Sequence, residues 1–188
     1  MKRTFILLLL AIALPLSASD NWILSTTFDS PYFDETYAPG FTLKADVLLF
    51  EWNLDTDPRD DGYGLSIESG ILFPVRKTYS GISPFFRLGL VGRKDMSESI
   101  SLDFKFHVLY TLTGRNMPGN GIGPRKIRYF QNTGVDVEGN FIYKLPCNLE
   151  FQSGMTLGML LPLEGKKMRQ EPPGFLASFS LGIAYNLH

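Results

Sequence analysis

The chain has 188 residues, 44% of them apolar and 20% charged, with 18 basic against 19 acidic side chains. One cysteine and two histidines exclude a disulfide framework, a cysteine-rich zinc module and a multi-histidine metal site. The even charge balance excludes a polycationic nucleic-acid binder, and a mean hydropathy of +0.01 excludes a bundle of membrane-spanning helices.

The first nineteen residues read as a targeting segment. Lys2 and Arg3 precede an apolar run from Phe5 to Leu16, and Ser17, Ala18 and Ser19 place small residues at the cleavage positions. This is the layout of a secretory signal peptide, 1–19, leaving a single domain over 20–188. The run falls short of the roughly 20 apolar residues that a spanning helix needs.

From there the dominant signal is period-two alternation, the mark of strands with two unlike faces. It opens with Trp22, Leu24, Thr26 and Phe28. Phe41, Leu43, Ala45, Val47 and Leu49 follow, with a slip of phase at Leu48-Leu49-Phe50 that suggests a bulge. Tyr63, Leu65, Ile67, Ile71, Phe73 and Val75 oppose Gly64, Ser66, Glu68 and Gly70. Phe86, Leu88 and Leu90 oppose Arg87, Gly89 and Val91. The clearest segment sets Ile100, Leu102, Phe104, Phe106, Val108, Tyr110 and Leu112 against Ser101, Asp103, Lys105, His107 and Thr111. Similar segments cover 127–145, 149–161 and 175–187. The pattern predicts eight strands, about 21–29, 40–52, 62–75, 83–93, 99–113, 127–145, 147–161 and 174–187, and a sheet of that size closes into a barrel.

Alternation does not say which face is inside. The apolar face carries Phe, Tyr, Leu and Met, too bulky for the bore of an eight-stranded barrel. The other face is rich in Gly and Ser, which suit a crowded lumen. Its charges, Lys44, Arg87, Arg93, Lys105, Arg128 and Lys144 against Asp46, Glu68, Asp103, Asp136, Glu138 and Glu150, are matched six to six. A narrow lumen tolerates charges when they pair. The reading is therefore an up-and-down antiparallel transmembrane barrel, apolar outside, with a charge-paired lumen that also holds His107. Aromatics toward strand ends, Phe28, Phe41, Trp52, Tyr63, Phe73, Tyr110, Tyr129, Tyr143, Phe151, Phe175 and Tyr185, suggest interfacial girdles.

In this arrangement the chain resembles the small eight-stranded bacterial outer-membrane barrels of the outer-membrane protein A, X and W type. The resemblance is architectural and spans 20–188. Its most specific element is the last strand, where Phe179, Leu181, Ile183, Tyr185 and Leu187 supply the alternation that the barrel-assembly machinery reads. The family implies both termini in the periplasm and surface loops at 30–39, 76–82, 114–126 and 162–173. It further implies residence in the outer membrane as a monomer among membrane lipids, with at most a narrow pore.

Those loops carry Arg76, Lys77, Arg115, Arg125, Lys126, Lys166, Lys167 and Arg169 against four acids, a surface suited to lipopolysaccharide phosphates. Asp55, Asp57, Asp60 and Asp61 crowd one turn without the spacing of a calcium loop. GNGIGP at 119–124 lacks nucleotide-binding spacing. No cofactor, metal or catalytic residue is expected. His107 reads as a lumen histidine paired with Asp103 or Glu68, with no nucleophile–base pair evident. Two alternatives stand: a soluble periplasmic barrel holding a lipid-like ligand in an apolar interior, and a lipid A-modifying barrel enzyme.

Overall fold

The computed structural model describes residues 22–33, 36–51, 62–75, 82–117, 126–163 and 174–187. Eight long strands run through them: β1 (Trp22–Phe33), β2 (Gly40–Glu51), β3 (Gly62–Leu72), β4 (Ser83–Ser97), β5 (Ile100–Met117), β6 (Lys126–Lys144), β7 (Leu149–Pro162) and β8 (Gly174–Leu187). Each pairs antiparallel with its neighbours in sequence, and β1 also pairs with β8, so the sheet closes. A two-residue strand, Thr36–Tyr37, folds back on the end of β1.

The register defines the barrel's geometry. A row of paired residues leaving β1 at Trp22 passes Val47, Leu65, Leu90, Phe106, Val137, Leu157 and Ala177. It returns to β1 at Tyr32, ten residues on. With about 3.3 Å per residue and about 4.8 Å between strands, that stagger tilts the strands by about 40°. Ten residues then climb about 25 Å along the axis, the height of the apolar band of a membrane barrel.

The alternation survives almost unbroken in space. Phe104, Phe106, Val108 and Tyr110 are exposed on β5 while Asp103, Lys105, His107 and Leu109 are buried. The register of β2 on β3 shifts between Leu48 and Phe50, where the phase of the sequence slips. Several boundaries differ from the sequence reading: β3 ends at Leu72 and not at 75, and β5 runs on to Met117, opposite Lys126, into the expected 114–126 loop. β1 runs on to Phe33, paired with β8 as far as Leu176, so the expected 30–39 loop is largely a hairpin. Pro31, which offers no ladder donor, hides this continuation. β4 reaches Ser97 through a second irregularity at Asp95/Ser97. The β6–β7 turn is tight: Leu145 N donates to Leu149 O at 2.7 Å, and Cys147 and Asn148 both take positive φ.

Candidate functional site

The lumen is small because the inward glycines let strands and side chains close on it. A Cβ at Gly89 would lie 1.9 Å from Phe106 O and 2.7 Å from His107 Cδ2; one at Gly154 would meet Asn140 Oδ1 at 2.0 Å.

Into this space β2–β6 project a single ion-pair core. Lys44 Nζ, from β2, lies 2.5 Å from Glu138 Oε1 of β6 and 3.5 Å from Glu68 Oε1 of β3. Lys105 Nζ meets Asp46 at 2.7 Å and Glu68 at 3.4 Å. Arg87 bridges Glu68 at 3.0 Å and Asp136 at 2.9 Å. Asn140 donates a further bond to Glu138 at 2.7 Å. Nearer the rim that carries both termini, Arg93 forks between two carboxylates: Nε and Nη2 donate to Asp103 at 2.7 and 3.2 Å, Nη1 and Nη2 to Glu150 at 2.8 and 3.1 Å. Such bidentate bonds fix geometry as well as charge. Lys44, Asp46, Glu68, Arg87, Asp103, Lys105, His107, Asp136, Glu138 and Glu150 are all buried.

The six-to-six charge balance is corrected. Four buried cations, Lys44, Arg87, Arg93 and Lys105, face seven buried carboxylates among the described residues. The extra acid is Asp29, which takes hydroxyl donors from Thr42 and Thr27. Lys144 sits at the rim, paired with Asp95 at 2.6 Å. Arg128 is paired in register with Arg115 in the outer part of the β5–β6 hairpin, and its side chain lies outside the described residues.

His107 keeps Glu68 of its two expected partners, loses Asp103, and gains Asp136 and Ser66. Its Nδ1 lies 2.9 Å from Asp136 Oδ1 and its Nε2 3.2 Å from Ser66 Oγ, with Glu68 Oε1 at 3.6 Å. Asp103 belongs to Arg93 instead. Ser66, His107 and Asp136 thus form the serine–histidine–carboxylate constellation of a hydrolase, which sequence spacing could not reveal because three strands contribute. All three are buried, and the cavity of about 20 Å³ further along the lumen is lined by Asp29, Phe85, Arg87 and others but by none of them. The trio lies wholly inside the packed lumen. Glu68, His107 and Glu138 lie close enough to hold a metal ion. Lys44 Nζ, however, already sits against both glutamates and supplies the positive charge that a metal would bring.

Two apolar clusters close the polar core along the axis. Ile23, Leu48, Val91 and Ala184 pack at the terminal end. Ala38, Leu72, Phe85, Leu109, Leu160 and Leu176 pack toward the opposite end, where Arg87 lies 4.9 Å from the centre of the Phe85 ring. These lone apolar residues on the polar phase were not legible as a set in the sequence. The lumen is therefore filled with charged and polar side chains between apolar plugs, and the alternative of an apolar ligand-binding interior does not hold.

Outside, the exposed aromatics fall at several depths. By the register, Tyr63, Tyr143, Phe151 and Tyr185 sit toward the terminal rim, and Phe73, Tyr110 and Phe175 toward the other. Phe28 and Phe41 form an edge-to-face pair at 5.5 Å between the rims, and Tyr129 lies further out on the hairpin. Trp52, the aspartates at 55–61, the 119–124 glycines and the basic residues at 76–77, 125 and 166–169 lie outside the described residues.

A closed eight-stranded barrel, apolar without and charge-paired within, defines a small membrane-spanning β-barrel. Its fold is similar to that of Neisserial surface protein A (TM-score 0.62, 8% identity, covering 89% of this chain and 97% of that one). It is also similar to Ail, the attachment invasion locus protein of Yersinia pestis (0.56, 12%, 89% and 99%), and to the N-terminal barrel of Pseudomonas aeruginosa OprF (0.54, 10%, 89% and 98%). No family model matches the chain, and no curated protein matches it in sequence.

Proposed function

We propose that this protein is an integral outer-membrane barrel of a diderm bacterium, exported by residues 1–19, non-enzymatic and non-conducting, that acts through its surface end. The observation that carries the reading is the lumen: paired ions bridge the bore from Lys44 to Glu138 with an apolar plug on either side. Such a stack leaves water and ions at most a narrow path beside the plugs, with a cavity of only about 20 Å³ among Asp29, Arg87, Thr111 and Ser178. The aromatics named above would anchor the barrel at its two interfaces, and the alternating last strand would engage the barrel-assembly machinery.

At the surface end, the β5–β6 hairpin sets Arg115 directly opposite Arg128, and Met117 opposite Lys126. The sequence thus concentrates Arg115, Lys126 and Arg128 in this one hairpin, a basic composition that suits an anionic partner. This favours contact with a polyanionic saccharide or with lipopolysaccharide phosphates. Ail, similar in fold (TM-score 0.52, 13% identity), has been crystallised with the heparin analogue sucrose octasulfate.

The membrane reading is tested by fractionation. The mature protein requires detergent for extraction, migrates as a heat-modifiable monomer, and gives no steady conductance in planar bilayers. Free solubility in buffer overturns the membrane assignment; stable single-channel steps overturn the closed lumen.

A further inference from the structure

The outward face is not uniformly bulky. On β4 and β6 it carries glycines, Gly92 and Gly139, on either side of Phe104 in one register row that continues to Tyr63 and Met155. They floor a depression of about 710 Å³ whose walls, including Leu90, Phe106, Val137 and Leu157, are almost wholly apolar. A Cβ at Gly139 would meet only the Phe104 ring, at 3.9 Å. A side chain fits there sterically, and the space stands open.

A second observation says what fills it. Two residues from Gly92 toward the terminal rim, on the same outward phase, stands exposed Lys94. Among the described side chains it is the one charged group on the outward phase of any strand. Glu98 lies beyond it in the exposed turn between β4 and β5. At about 2.5 Å of climb per residue for this tilt, the depression rises from the level of Lys94 to about the middle of the apolar band. A cation at the rim beside an uncharged furrow matches a phosphate followed by a hydrocarbon chain. A protein neighbour would present no such anion-then-hydrocarbon order.

We propose that this furrow binds one phospholipid from the leaflet at the terminal rim, its phosphate on Lys94 and one acyl chain lying over Gly92 and Gly139. The proposal rests on the membrane reading above. Ordered burial of the chain against Phe104 and Met155 distinguishes this site from the surrounding, exchanging lipid.

The test is native mass spectrometry of the full mature barrel, titrated in detergent with dioleoyl phosphatidylglycerol or with dioleoylglycerol, which lacks the phosphate. The wild-type barrel should show one saturable phosphatidylglycerol site. Gly139→Leu should weaken it at least tenfold by filling the furrow. Lys94→Glu should weaken phosphatidylglycerol at least fivefold and leave dioleoylglycerol unchanged. Heat-modifiable mobility checks that each variant is folded, and Val137→Phe on the furrow wall replaces Gly139→Leu if the latter fails to assemble. Non-saturating adducts in the wild type, or undiminished retention by a folded furrow-filling variant, overturn the proposal. So does a Gly139→Leu effect on self-association alone, which would make the furrow a contact between copies. A barrel that proves soluble without detergent would instead overturn the membrane reading itself.

Discussion

Lys44 and Glu138, 94 positions apart in the chain, meet across the bore with Nζ 2.5 Å from Oε1. No element adjacent in sequence brings them together; only closure of the sheet between β8 and β1 makes β2 and β6 face each other. Removing one partner leaves the other charge buried. Glu138→Ala should destabilise the barrel by about 3–5 kcal/mol, and the paired change Lys44→Met with Glu138→Leu by clearly less than the two single changes together. Urea unfolding in lipid vesicles, followed by gel mobility, measures both.

The glycines predict opposite outcomes on the two faces. Gly89 faces the lumen, and a methyl there would strike Phe106 O at 1.9 Å. Gly89→Ala should reduce the yield of heat-modifiable folded barrel severely. Gly139→Ala, whose methyl meets nothing closer than 3.9 Å, should fold with wild-type yield.

The buried Ser66–His107–Asp136 set should be chemically silent. A fluorophosphonate probe should leave the folded protein unlabelled, and Ser66→Ala should cost only about 1 kcal/mol of stability, the worth of one net hydrogen bond. Labelling that disappears in Ser66→Ala would reveal an access route and an enzymatic role.

The Arg115–Arg128 pairing gives a separable prediction at the surface end. Arg115→Glu should reverse one of the three basic charges that the sequence places in this hairpin. It should also lower the affinity for a sulfated saccharide measured at fixed salt. Unchanged binding would detach the hairpin from any anionic partner.

The strands and their facing were legible because a half-buried strand must alternate, and the sequence does so from Trp22 to Leu187. Bulk decided the facing: Phe104 and Phe106 cannot fit a bore that Gly89 and Gly154 are needed to narrow. The bulge at Leu48 was visible as a break in phase, whereas the end of β1 was hidden by Pro31. Asp29, Leu72 and Phe85 are lumen residues that the pattern does not mark, since an isolated side chain near a strand end carries no periodic signal.

Strand order, facing and the chemical types present in the lumen thus follow from sequence alone, because they depend on local alternation and side-chain size. Which charge meets which follows only from the tertiary structure. A stagger of ten residues around the barrel sets which strands face each other and at what height. It puts His107 on Asp136 rather than Asp103, hands Asp103 to Arg93, and sets Lys94 beside the furrow at Gly92 and Gly139.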